Sequence, residues 1–134
     1  MILFLDTNIC IYALKGQFPG IRRQMQSLTP DLIRIPSMVK AELLLGARKS
    51  SNPQRVLPLV EKFLSPYEVV PFCERSAVVF SVLRSELEKK GETIGPYDLI
   101  IASTVLANNG VLVTRNTREF SRIPALDVVD WTRD

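Results

Sequence analysis

The stretch that decides the fold is the opening Ile2-Leu3-Phe4-Leu5-Asp6-Thr7-Asn8-Ile9. Four apolar residues follow one another without a polar break, as in a strand buried on both faces of a sheet. The run stops at an acid. Asp6 and Thr7 then offer N-caps to a helix carrying Ile9, Ile11, Tyr12 and Leu14, which Gly16 and Pro19 end. A strand handing over to a helix across one acidic residue is how an α/β domain begins.

Outward from there the alternation continues. A polar helix is predicted from about Gly20 to Leu28, and a second strand over Leu32 to Ile35, closed by Pro36. Ser37 is read as the cap of a helix through Met38, Val39 and Leu43 to Leu45, stopping near Gly46 to Lys49. Pro53 opens a helix through Val56, Leu59, Val60 and Phe63, and Tyr67 to Phe72 reads as a third strand. Between Glu74 and Lys90, Ala77, Phe80, Leu83 and Leu87 recur at helical spacing. Pro96 opens a very apolar helix through Leu99, Ile100, Ile101, Val105 and Leu106, ended near Gly110. Val111 to Thr114 is a fourth strand and Asp127 to Val129 a short fifth. The pattern predicts an α/β fold with a mostly parallel central sheet flanked by helices. At 134 residues the chain suits a single domain over 1–134, with no repeat, low-complexity tract or linker.

The most restrictive feature of the composition is the absence of histidine. It removes Ser-His-Asp and Cys-His triads, imidazole acid–base chemistry and histidine zinc sites. An enzyme built from this chain has to work with carboxylates. The two cysteines, Cys10 and Cys73, both lie in apolar stretches and read as reduced, buried core thiols. Seventeen Lys and Arg against fourteen Asp and Glu give +3, a basic excess that permits a polyanionic partner without requiring one. Met1 to Leu5 is too short to span a membrane, so a cytoplasmic protein is the expectation. Dinucleotide, P-loop and EF-hand signatures are missing as well.

Ligands of open α/β sheets bind beyond the carboxyl ends of the strands. Asp6 and Asn116 fall there, and Asp98 opens a helix two residues after Pro96. Glu42 sits among Ala41, Leu43, Leu44 and Leu45, near the core or lining a cleft. Each has an ordinary reading taken alone. Asp6 can be a plain N-cap and Asp98 a partner of the helix dipole. Glu42 can pair with Lys40 or Arg48, Asn116 can serve a turn, and Glu119 can pair with neighbouring arginines. Together they make a set of like charges at one sheet edge, which a divalent cation neutralises. Magnesium and manganese favour such oxygen ligands and assist phosphodiester hydrolysis.

These residues resemble a known family. Phe4-Leu5-Asp6-Thr7-Asn8-Ile9 is similar to the opening of PIN domains. Ala41-Glu42-Leu43 with Gly46-Ala47, Ile94-Gly95-Pro96-Tyr97-Asp98 and Val113-Thr114-Arg115-Asn116-Thr117-Arg118-Glu119-Phe120 resemble the second, third and fourth motifs. Order and separation agree over essentially the whole chain, and the match is nearest to the VapC group of toxins. The resemblance implies a three-layer α/β/α PIN-like fold and a Mg²⁺- or Mn²⁺-dependent endoribonuclease. Asp6 and Asp98 are then the principal metal ligands. Glu42 is the third acid, binding metal directly or through water, or orienting the nucleophile. Asn116 and Glu119 lie where many PIN domains supply a fourth acid; asparagine departs from that pattern, which leaves the metal count open. Thr7, Asn8 and Thr114 are expected to orient the carboxylates, with helix capping and strand termination as the competing roles. Arg115, Arg118 and Arg122 are candidate contacts to RNA phosphates, with solvated surface as the alternative. The resemblance further implies a homodimer, a VapB-type antitoxin in a toxin–antitoxin hetero-oligomer, and structured RNA, often tRNA, as substrate. The helices around Leu43 to Leu45 and Val56 to Phe63 are candidates to frame the antitoxin's apolar groove, although most of those residues are expected to be core.

Other readings fit less well. A haloacid-dehalogenase-like phosphatase wants a second Asp where Asn8 stands, and a phosphoreceiver-like module wants paired early acids and a late lysine where Arg115 stands. A PIN-like module that binds RNA without cutting it is the third alternative.

Overall fold

The apolar run at the start is the central strand of a five-stranded sheet. The structure is a computed structural model and describes residues 1–133. In it β1 (Leu3–Leu5) runs parallel to β2 (Ile33–Pro36) on one side and to β4 (Val111–Val113) on the other. The outer strands are β3 (Glu68–Val70) and β5 (Asp127–Val129), giving the order β3-β2-β1-β4-β5 with every pairing parallel. Leu3, Phe4 and Leu5 are all buried, as a strand covered on both faces must be.

Between β1 and β2 lie α1 (Thr7–Leu14) and α2 (Pro19–Ser27), and between β2 and β3 lie α3 (Ser37–Arg48) and α4 (Pro53–Leu64). Between β3 and β4 come α5 (Glu74–Lys89) and α6 (Pro96–Ala107), and a short α7 (Thr117–Phe120) precedes β5. Strands are added first on one side of β1 and then on the other. Right-handed crossovers therefore send the earlier helices to one face and the later ones to the opposite face, the expected three layers. The strand order reverses beside β1, so the crevice of the fold opens at the carboxyl ends of β1 and β4.

The very apolar α6 is buried nearly all round, with Leu99, Ile101, Ala102 and Val105 in the core. Gly110 is required where the chain turns into β4. A Cβ there would run into the Phe4 ring and lie 3.3 Å from the Ile2 carbonyl oxygen.

Three local expectations are corrected. Ser37 is the first residue of α3 and not its cap; the N-cap position belongs to Pro36, whose fixed φ leads into the helix. By contrast, α3 ends at Arg48, within the expected window of Gly46 to Lys49. Ala77 faces solvent and Ser76 takes the buried position, one residue away around the helix. Cys10 is buried as expected, but Cys73 is exposed at the N-cap position of α5, and both thiols are free.

Candidate active site

Asp6 follows β1 directly, where the strand gives way to α1. Its backbone N–H continues the sheet by donating to the Val113 carbonyl at 3.0 Å. Its side chain is fixed at both oxygens. Oδ1 accepts from the Thr7 backbone N–H and Oδ2 from the Thr114 hydroxyl, each at 2.7 Å. The N-cap reading is thus correct, and the same carboxylate is held facing the crevice. Asp6 is only 6% exposed. Burial pushes its pKa up, and the Thr114 and Thr7 hydrogen bonds pull against that; the charges of Glu42 and Glu119 push it further up.

Thr7 serves a second acid. Its hydroxyl donates to Glu42 Oε1 at 2.7 Å, tying α1 to α3. Glu42 is half-buried, and its partner is this threonine and neither Lys40 nor Arg48.

Asp98, in the first turn of α6, completes the set. Burial, then the charges of Asp6, Glu119 and Glu42, then a hydrogen bond with Glu119 raise its pKa to about 7. Glu119 on α7 accepts from the Asn116 side-chain amide at 2.8 Å and from the Gly95 backbone N–H at 3.3 Å. Asn116 in turn is placed by its own N–H, which donates to the Thr114 hydroxyl at 3.0 Å. One hydroxyl, on Thr114, therefore links the Asp6 half of the site to the Asn116–Glu119 half.

Asp6, Glu42, Asp98 and Glu119 thus share one electrostatic neighbourhood, and among the described residues no Lys or Arg forms an ion pair with any of them. No three of the described acids converge tightly enough to enclose an ion by themselves. A half-buried set of acids that meets hydroxyl, amide and backbone donors but no cation among the described residues fits a hard divalent cation. Such an ion takes one or two carboxylates and fills its remaining positions with water and substrate oxygens. The donors also leave Asp6, Glu42 and Glu119 in defined orientations.

Other expectations fare differently. Asn8 is exposed and makes no hydrogen bond to the carboxylates, so it orients none of them. It stands one position past Thr7, about 100° further round α1. Arg122 pairs with Glu92 at 3.9 Å and donates to the Thr93 carbonyl, which anchors the loop before α6. Arg118 is exposed. Arg115 lies over the rings of Phe18 and Tyr12. Sequence reasoning missed the Gly95 N–H as a donor to Glu119, since a backbone group carries no sequence signal. It missed the two rings under Arg115 because nearly a hundred residues separate them from it.

Beside the acids runs an apolar groove of about 460 Å³. Glu42 stands in its wall, with Ile11, Leu14, Leu43, Val56 and Leu59. Leu14, Leu45 and Leu59 are exposed, whereas Leu43 and Val60 are core.

A parallel sheet carrying this acid set at its switch point defines the class: residues 3–126 match the PIN domain family. The chain is 40% identical over 127 residues to the tRNA(fMet)-specific endonuclease VapC of Salmonella typhimurium, covering 95% of this chain and 96% of that protein. It is 40% identical to ribonuclease VapC2 of Rickettsia felis over 134 residues, 99% of this chain and 100% of the relative. The crystal structure of DNA-bound VapBC from Salmonella typhimurium superposes with a TM-score of 0.92 at 39% identity, covering 98% of each chain. The chain belongs to the PIN-domain family and, within it, to the VapC ribonucleases, the toxin endoribonucleases of toxin–antitoxin pairs.

Proposed function

We propose that this chain hydrolyses phosphodiester bonds of structured RNA, with tRNA as the first class to test, and depends on Mg²⁺ or Mn²⁺. The observation that carries the reading is the Asp6–Glu42–Asp98–Glu119 set, in which neutral donors hold Asp6, Glu42 and Glu119 and no acid has a cationic partner among the described residues. Asp6 and Asp98 are assigned as the metal ligands, with Glu42 completing the sphere directly or through water. A bound divalent ion supplies charge neutralisation at phosphorus and a more acidic water. The protein's own groups do the rest. Thr7 and Thr114 keep Asp6 from rotating, and Thr7 aims Glu42 into the site. Asp98, with its pKa raised to about 7, is partly protonated at neutral pH, and a bound cation would favour its ionised form. Glu119 supplies the fourth acid that Asn116 lacks, and Asn116 orients it.

The relative from Salmonella is named for cutting tRNA(fMet), and its VapBC assembly is described as DNA-bound. By analogy a VapB-type antitoxin occupies the groove lined by Leu14, Leu43, Val56 and Leu59. That groove reaches Glu42, so an occupant would block the site. A homodimer is part of the same reading.

The experiment is cleavage of total tRNA by purified antitoxin-free protein, in Mg²⁺, Mn²⁺ or EDTA, beside Asp98→Ala. Cutting that requires both metal and Asp98 is the expected result. Cutting that survives EDTA and Asp98→Ala alike would sink the assignment.

A further inference from the structure

The β4–α7 turn presents Thr114, Arg115 and Asn116 in succession. The first and third are absorbed by the acid set. Arg115 is not, because no carboxylate or carbonyl among the described residues takes its N–H groups. Its guanidinium lies 4.9 Å from the Phe18 ring centroid and 6.0 Å from that of Tyr12. The two rings meet edge to face, with centroids 4.8 Å apart and planes at 67°. Tyr12 lies in the last turns of α1 and Phe18 at the N-cap of α2, and this contact sets both against the turn that carries the site.

Phe18 stands in an unusual backbone state, with φ 54 and ψ 85. A bulky side chain seldom adopts the left-handed region, which suits glycine. The turn nevertheless places a ring there, half-buried, with Tyr12 behind it and Arg115 over it. Strain of that kind persists where the surroundings over-determine it.

We propose that Arg115 binds a backbone phosphate of the RNA strand entering the site, and that Phe18 and Tyr12 are positioning residues that hold its guanidinium ready. The inference rests on the ribonuclease reading above. Attraction of the cation to a ring face uses up no N–H donor in a hydrogen bond, so the guanidinium keeps its N–H groups for bidentate phosphate contact. A long side chain already fixed by stacking loses less freedom when it binds. Arg115 forms no ion pair with the acids, so its charge remains available to a polyanion that those acids would otherwise repel.

The test is fluorescence anisotropy with a labelled tRNA transcript over a salt series, in EDTA and again in Mg²⁺. EDTA separates binding from cutting. Arg115→Gln should weaken binding about three- to ten-fold and flatten the log K against log salt slope by about one. Phe18→Gly removes the ring and suits the backbone, so it should keep or raise Tm while weakening binding about three-fold. Phe18→Trp should restore affinity. The double variant Phe18→Gly, Arg115→Gln should bind no more weakly than Arg115→Gln alone, because the ring acts through the arginine. Losses that multiply in the double variant, or a salt slope unmoved by Arg115→Gln, overturn the clasp. RNA that binds with these differences but is never cut overturns the nuclease reading and leaves the clasp standing. RNA that binds in neither buffer overturns the clasp.

Discussion

Asp6 and Glu119 each accept hydrogen bonds at both oxygens, yet the two carboxylates are held by different means. The donors to Asp6 are the residue that begins α1 and the residue that follows β4, so the parallel pairing of β1 with β4 fixes them. The donors to Glu119 are a backbone N–H in the loop before α6 and a side-chain amide four residues from the end of α7. Asp6 is buried and Glu119 is half-exposed. One half of the site is thus built into the sheet, and the other is assembled from loops that Thr114, Gly95 and Arg122 keep in register. Rigidity at Asp6 follows from the fold; at Glu119 it depends on local contacts.

The sharpest way to break this comparison is Asp6→Asn. The amide keeps the size and a capping oxygen but loses the charge, so cleavage should fall by at least about 100-fold while the far-ultraviolet circular dichroism stays the same. Full activity in this variant would remove Asp6 from the chemistry. Thr114→Val comes next, because it strips the donor from Asp6 and the acceptor from the Asn116 N–H together. A loss of about 10- to 100-fold in Mn²⁺ affinity, read by titration calorimetry, is expected. If the loop half is the more forgiving one, Asn116→Ala should cost less than Thr114→Val, at most about 10-fold in the same titration. Equal losses would mean that the two halves are equally rigid. Asn116→Asp is a finer probe of the same point: it replaces a donor to Glu119 with a like charge and should change metal affinity or stoichiometry, and unchanged titration curves would count against a role for Asn116 at the site.

The smallest effect concerns pH. The Asp98 pKa rises from its ordinary 3.8 to about 7 in the folded protein, so between those values the folded state binds more protons than the unfolded one. Stability therefore falls as pH climbs through that window. Metal-free protein should melt a few degrees lower at pH 8 than at pH 5. Asp98→Asn should flatten the profile, and Mg²⁺ should oppose the loss at the alkaline end.

Most of the fold was legible because its signals are local. The unbroken Ile2–Leu5 run, Pro96 at the start of an apolar helix and the Val111–Thr114 run each mark an element unaided. Asp6, Glu42 and Asp98 were legible as a pattern, and Thr7 and Thr114 as neighbours of that pattern. What escaped depends on direction or on distance along the chain. Asn8 belongs to the same tripeptide as Asp6, but helical winding turns it outward. Cys73 has apolar neighbours in Pro71 and Phe72, but it lies where the chain leaves the sheet, so its thiol reaches solvent. The partners of Arg122 were not legible because Glu92 and Thr93 lie about thirty residues earlier. The apolar character of α5 predicted its buried side, yet Val78 and Val82 are exposed on it, a point that composition alone does not separate from core.

The bond from Thr114 to Asp6 spans 108 positions of the chain. During translation, at about 5–20 residues per second, the first acid is made on the order of ten seconds before the hydroxyl that fixes it. Until β4 has been synthesised and has paired beside β1, neither Asp98 nor Glu119 has an Asp6 held in place to work with. A growing chain therefore carries the first acid without the hydroxyl that fixes it. On the proposed assignment, synthesis of β4 is the step that turns a lone acid into part of a set.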